Sequence, residues 1–298
     1  MGETETKKKS AVVAVVGRPS AGKSTLVNHL CGQKVAITSP VPQTTRNRIR
    51  GILTTTRGQL IFIDTPGYHK SERKFNLYLK KLVEDTIQEV DLVLYVIDTS
   101  RPPGEEEELI AERVSSFQGP LLTALNKIDV TPSYQEQVET FLNLRLPQAS
   151  QWKISALTGE GIPLLTQALF DAAPEGDLLY PEEYYTDQDP DFRISEIIRE
   201  KAVWETRQEI PHSLYVEISD MEKRENGSLW VRAFLVVERE SQKGILIGKG
   251  GAKIKTIRMA AEKELAEIFP YSVHLDLRVK VDPKWRQKDT LLLSRLFR

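Results

Sequence analysis

The sequence predicts two domains: a larger α/β domain with a mostly parallel sheet, then a smaller α+β domain. Three observations carry this. Apolar, β-favouring runs alternate with helix-like stretches up to residue 156. Residues 172–191, AAPEGDLLYPEEYYTDQDPD, are rich in proline and acid. The charge balance also reverses, with 20 Lys and Arg against 25 Asp and Glu in residues 1–190, then 21 against 17 in residues 191–298. The expected boundaries are a flexible tail at 1–9, a first domain at 10–172, a linker at 173–191 and a second domain at 192–298.

In chain order, AVVAVV (11–16), QLIFID (59–64), DLVLYVID (91–98), LLTALN (121–126) and WKISA (152–156) read as buried strands, each followed by a loop and a helix-like stretch. RNRIRGILTTT (46–56) reads as an additional strand leading into QLIFID, making six. In the second domain a helix is expected at 192–209, strands at HSLYVEIS (212–219) and LWVRAFLVVE (229–238), a helix running from a glycine loop to about residue 268, and a last strand at SVHLDLRVKV (272–281).

Composition excludes several classes. With 40% hydrophobic and 28% charged residues, the 298-residue chain is of the soluble globular type. No apolar run approaches the roughly 20 residues of a membrane span, and MGETETKKKS lacks the apolar stretch of a secretory signal. GETET loosely fits an N-myristoylation pattern, but a short polar tail is the plainer account. The single cysteine, Cys31, cannot form an internal disulfide, which fits a reducing cytoplasm.

Two glycine–lysine loops stand out. The first, GRPSAGKS, is Gly17, Arg18, Pro19, Ser20, Ala21, Gly22, Lys23 and Ser24, with Thr25 behind it. Its spacing, between a strand and a helix, wraps a triphosphate. Backbone N–H groups across residues 19–24 would face the phosphates, helped by the helix N-terminus. Lys23 would reach the β- and γ-phosphates, and Ser24 would ligate Mg²⁺. DTPG (Asp64, Thr65, Pro66, Gly67) ends the second buried strand: Asp64 would hold Mg²⁺ through water, and the Gly67 N–H would meet the γ-phosphate. In QTTRN, Thr45 is preferred as metal ligand, with Thr44 as rival. Both segments would be ordered by the γ-phosphate and released after hydrolysis.

NKID names the base. The Asp129 carboxylate only accepts hydrogen bonds, and guanine offers two donors where adenine lacks the exocyclic amine. Asn126 would tie this loop to the phosphate loop, and the Lys127 stem would cover a ring face. In ISA, beside Ser155, the Ala156 N–H would meet the guanine oxygen. Lys23, Thr45 and Gly67 are the residues assigned to catalysis. The position after Gly67, where many such switches carry a water-orienting glutamine, is Tyr68, followed by His69, read as an exposed loop histidine. Slow intrinsic turnover is expected.

The second loop, IGKGG, lacks the Gly–Lys–Ser spacing and cannot be another triphosphate loop. It is Ile247, Gly248, Lys249, Gly250 and Gly251, with Lys253, Lys255 and Arg258 nearby. Residues 243–298 hold 13 Lys and Arg against 6 Asp and Glu, a balance suited to a polyanion. The order helix–strand–strand–loop–helix–strand is that of the KH module, whose G-x-x-G loop clamps four nucleotides of single-stranded nucleic acid.

With GRPSAGKS, QTTRN, DTPG, NKID, ISA and IGKGG in this order over roughly residues 10–290, the chain resembles the Era family of bacterial GTPases. The resemblance implies a P-loop GTPase domain and a type II KH domain of order αββααβ. It implies GTP and GDP with Mg²⁺, and binding to the 3′ end of 16S ribosomal RNA during small-subunit assembly. It further implies a monomer in the cytoplasm, with peripheral contact at the inner membrane face. Similar GTPases usually carry asparagine at position 20, which in relatives helps hold an activating potassium ion. The shorter Ser20 counts against potassium activation. The alternative function is a signalling switch whose KH-like domain binds a protein or a membrane.

Overall fold

The computed structural model describes residues 7–42, 44–68, 74–206, 209–283 and 285. Gly2 and the start of the tail, Gln43, His69 and the chain from 286 onward lie outside the described residues. Two compact units meet in sequence between Asp187 and Gln188, and residues 39–44 group with the second.

The first unit runs β1 (Lys9–Val16), α1 (Lys23–Cys31), β2 (Ile49–Thr55), β3 (Gly58–Asp64), α2 (Lys74–Gln88), β4 (Leu92–Asp98), α3 (Glu105–Ser115), β5 (Leu121–Asn126), α4 (Gln135–Arg145), β6 (Ser150–Ile154) and α5 (Ile162–Ala172). Its six-stranded sheet has the order β2-β3-β1-β4-β5-β6. All neighbouring pairs are parallel except β2 with β3. The inner strands read as continuous apolar runs because helices cover both faces. Ala11, Val13 and Val15 of β1 pack in one cluster with Leu26 of α1 and Leu165 of α5. Ala14 and Val16 face the other way, with Val83 of α2, Ile110 of α3 and Leu142 of α4.

β1 lies between β3 and β4, where the strand order reverses direction. In open α/β sheets the crevice beyond the strand carboxyl ends at such a point receives ligands. The loops after β1, β3, β4, β5 and β6 all leave from that end.

The acidic segment read as a linker is pinned to this unit for most of its length. Ser10 N–H donates to the Pro174 carbonyl at 3.0 Å, and Ile52 N–H to the Tyr185 carbonyl at 2.9 Å. The fully buried Gln59 side chain accepts from Leu179 and Tyr180 N–H, both at 2.9 Å, and donates to the Tyr180 carbonyl at 3.0 Å. Composition alone does not show such bonds.

The second unit runs α6 (Pro190–Trp204), α7 (Ile210–Ser213), β7 (Tyr215–Lys223), β8 (Leu229–Val237), α8 (Glu240–Ile247), α9 (Ala252–Ile268) and β9 (Val273–Val281). Without the single turn α7, this is the αββααβ order. β8 pairs antiparallel with β7 and parallel with β9. Ile194 and Ile198 of α6, Leu246 of α8, and Ile257, Ala261 and Leu265 of α9 cover one sheet face with Val231, Ala233 and Leu235. Two elements differ from the residue pattern. His212 and Ser213, read as strand, belong to α7, where Pro211 is tolerated in the first turn. α8 interrupts what read as a loop, because Gly244 masked its short period.

Candidate functional site

The loop after β1 is held by its own hydrogen bonds. The Lys23 amine, 6% exposed, donates to the Gly17 and Arg18 carbonyls at 3.0 Å each. Burial pulls it down to about 8, against the opposing pull of Asp64. Gly22 has φ +94, and a Cβ there would stand 2.3 Å from Asn126 Nδ2, so only glycine fits. Proline at 19 has no N–H, and the Ala21 N–H is spent on the Arg18 carbonyl at 3.3 Å. The row of amides expected from 19 to 24 therefore begins at Ser20 and omits Ala21. Thr25 follows in the first turn of α1, half-buried.

The three residues assigned to the metal converge. Ser24 Oγ donates to Asp64 Oδ2 at 2.6 Å and lies 2.8 Å from Thr45 Oγ1, and Thr45 Oγ1 donates to the same Asp64 oxygen at 3.3 Å. Thr44, the rival, turns elsewhere: its hydroxyl donates to the Val41 carbonyl at 2.7 Å. Burial pushes Asp64 up to about 6, opposed by Lys23 and by the Ser24 and Thr45 hydrogen bonds. Its second oxygen, Oδ1, is buried with no hydrogen-bond partner. A desolvated carboxylate oxygen beside two hydroxyls suits a hard cation such as Mg²⁺. Among the described residues no cluster of three or more His, Cys, Asp or Glu could hold a metal by itself, so the phosphates would have to complete the set.

DTPG is anchored from both sides. Thr65 Oγ1 donates to the Val15 carbonyl at 2.8 Å. A Cβ on Gly67 would stand 2.6 Å from Pro19 Cα, so this loop lies directly against the first glycine loop. The Tyr68 N–H donates to the Gly17 carbonyl at 3.1 Å. The Tyr68 side chain is 4% exposed and points into the core, where its hydroxyl donates to Glu84 at 3.1 Å. The group at the usual water-orienting position is thus turned inward.

Asn126 bridges two loops. It donates to the Ala21 carbonyl at 2.8 Å and accepts from Ala156 N–H at 2.8 Å. The Ala156 N–H, read as facing a guanine oxygen, here donates to Asn126 Oδ1. Ser155 closes that loop, its hydroxyl accepting from Thr158 N–H at 3.1 Å. Asp129 is exposed. Lys127 has a left-handed φ of +71, and its amine donates to Asp98 Oδ2 at 2.9 Å.

Asp98 was missed in the sequence, as were Arg101 and the Arg18–Glu107 pair. Asp98 is 1% exposed and also accepts from Ser100 and from Arg101 Nε at 3.0 Å. The Lys127 contact leads the groups that hold its carboxyl below the usual range despite burial. Arg101 Nη2 donates to the Pro19 carbonyl at 3.1 Å. Arg18 Nη1 donates to Glu107 Oε2 at 3.1 Å, and its Nε forms an ion pair with Oε1 at 2.8 Å. The available signal was DTSR, acid and base three apart at the end of a buried strand.

In the second unit, Gly248, Gly250 and Gly251 have φ of +72, +59 and +79. A Cβ on Gly248 would meet Lys253 Cβ at 2.8 Å, whereas the space beside Gly250 and Gly251 is open. Lys249 and Lys255 are exposed, and Ile247 and Lys253 are half-buried. Arg258, half-buried, is paired within its own helix. Its Nη1 donates to both Glu262 oxygens at 3.1 Å, and Glu262 also accepts from Leu275 N–H at 2.9 Å. One turn further along α9, Arg258 serves the packing of that helix against β9.

Two family models match the chain: "50S ribosome-binding GTPase" at residues 12–127 and "KH domain" at 209–286. A GTPase Era of Treponema denticola is 53% identical over 287 residues, covering 95% of this chain and 98% of its own. One from Borreliella burgdorferi is 46% identical, with the same coverage. Among solved structures, a point variant of Aquifex aeolicus Era bound to GDP·AlF4⁻ superposes with a TM-score of 0.91 at 33% identity, over 97% of this chain and 98% of its own. An Era in complex with MgGDPNP and nucleotides 1506–1542 of 16S ribosomal RNA gives 0.90 at 33% identity, with the same coverage.

Proposed function

The chain belongs to the GTPase Era family, and on that premise we propose a GTP-hydrolysing switch that binds the 3′ region of 16S ribosomal RNA and acts in small-subunit assembly. The observation that carries the switch is the convergence of Ser24 and Thr45, from two other segments, on Asp64 Oδ2, beside the unpartnered Asp64 Oδ1. A bound cation and the γ-phosphate would tie the same three segments together more tightly.

Lys23 and the loop amides hold the β- and γ-phosphates. Ser24 and Thr45 would supply hydroxyl oxygens to Mg²⁺, and Asp64 would hold it from the DTPG side. When bound, Mg²⁺ neutralises charge shared between the β- and γ-phosphates. The Gly67 N–H donates to the γ-phosphate, so its loss on hydrolysis frees both the Thr45 and DTPG segments. Asp129 selects guanine through its two donors, and Asn126 keeps the base loop against the phosphate loop. With Tyr68 turned inward, no side chain at that position orients the attacking water, and slow intrinsic turnover follows.

RNA binding is supported by the left-handed glycines at 248–251, by exposed Lys249 and Lys255, and by the relative solved with 16S nucleotides. The family description that mentions the 50S ribosome matches residues 12–127, which belong to the nucleotide-binding unit. A monomer acting in the cytoplasm, in peripheral contact with the inner membrane, completes the proposal. No helix among the described residues is long and apolar enough to cross a membrane. The deciding experiment is crosslinking in cells with sequencing of the bound RNA. Recovery of the 16S 3′ region is expected. Recovery of protein partners without RNA would favour a signalling switch instead.

A further inference from the structure

The turn at the head of the phosphate loop is braced by a side chain from another loop. Arg18, Pro19, Ser20 and Ala21 form a β-turn, closed by Ala21 N–H on the Arg18 carbonyl at 3.3 Å. Proline at its second position and φ +63 at Ser20 make it a type II turn. Such a turn favours glycine or asparagine at its third position. Serine carries a Cβ and prefers the type I form, in which the central peptide is turned over by about 180°.

That peptide joins Pro19 to Ser20. In a trans peptide the C=O and N–H point in opposite directions. The direction of the Pro19 carbonyl therefore sets the direction of the Ser20 N–H, the first amide the loop can present. Turned over, the peptide would offer a carbonyl oxygen where the site needs a donor. Arg101 Nη2 donates to the Pro19 carbonyl at 3.1 Å. Its Nε is fixed by Asp98 Oδ2 at 3.0 Å, a buried carboxylate that also holds Lys127 of the base loop.

We propose that Arg101 is a positioning residue for nucleotide binding, locking the Pro19–Ser20 peptide with its N–H toward the phosphates, a task created by serine at position 20. The proposal rests on the reading of residues 17–24 as the phosphate loop.

The test is the affinity for fluorescently labelled GDP of wild type, Arg101→Ala, Ser20→Gly, Ser20→Gly with Arg101→Ala, and Lys23→Ala, with melting temperature followed in parallel. With Ser20 present, Arg101→Ala is expected to lose about tenfold, the size of one charge-assisted hydrogen bond. In the Ser20→Gly background the same change is expected to cost less than about twofold, because glycine holds the turn unaided. Arg101→Lys should lose as much as Arg101→Ala, since one amine cannot reproduce the guanidinium fork across carboxylate and carbonyl. It carries the comparison if Arg101→Ala does not fold. Equal losses in the two backgrounds overturn the proposal, as does full affinity in Arg101→Ala. A Lys23→Ala protein that binds like wild type overturns the phosphate-loop reading itself, a result distinguishable from either.

Discussion

Asn126 spends both ends of its side-chain amide on backbone, donating to the Ala21 carbonyl and accepting from the Ala156 N–H, each at 2.8 Å. A residue of the base-naming motif thereby fixes the phosphate loop and the loop after β6 at once. Asn126→Ala would leave a buried carbonyl and a buried N–H unpaired, at about 1–3 kcal/mol for each group. GDP affinity is expected to fall by more than about tenfold. Isothermal titration would measure it, and an unchanged dissociation constant would separate this bridge from nucleotide binding.

Asp129→Asn exchanges an acceptor for an amide. Preference should move from guanine toward xanthine, which presents a carbonyl where guanine has its amine. Competition between GTP and XTP tests this, and unaltered GTP preference would sink the assignment of Asp129.

Much of the first unit was legible because its parallel strands are buried on both faces and therefore appear as unbroken apolar runs. The site was legible where chemistry demands fixed spacing: Gly17 to Ser24, Asp64 to Gly67, Asn126 to Asp129. Thr45 could be chosen over Thr44 but not placed, since its contact with Ser24 depends on how the chain returns from α1 to β2. Asp98, Arg101 and Glu107 escaped notice because an acid at a strand end or in a helix's first turn, like a base on a loop, is ordinarily solvated. Only the fold shows Asp98 buried beneath Lys127. The Arg258–Glu262 pair was not foreseen either, since it appears only once α9 sets the two residues one turn apart.

Arg18 and Glu107 form a buried pair, with side chains 7% and 1% exposed. Glu107 also caps α3, accepting from Gly104 N–H at 3.0 Å. Glu107→Ala strands a guanidinium in the interior and should cost about 3–5 kcal/mol. Replacing both residues with methionine should cost far less. Urea unfolding of the two variants would compare them, and equal losses would contradict the assignment of the cost to an uncompensated charge.

Ser20 is exposed and reaches less far than asparagine. GTP hydrolysis is expected to run at nearly the same rate in potassium and sodium buffers, and Ser20→Asn should introduce a potassium dependence. Strong potassium activation of the unaltered protein would show that another group holds the ion.

The central claim is that the first glycine loop holds GTP and the second holds RNA. Lys249 and Gly250 sit at the exposed tip of the second loop. Changing both to Asp sets like charges against phosphates, which can cost several kcal/mol. The most direct measurement is binding of a 3′-terminal 16S fragment by wild type and this double variant at two salt concentrations, with GTP affinity measured alongside. RNA affinity should fall sharply, the gap should narrow as salt rises, and GTP affinity should stay near wild type. A double variant that binds the fragment as tightly as wild type would contradict the claim.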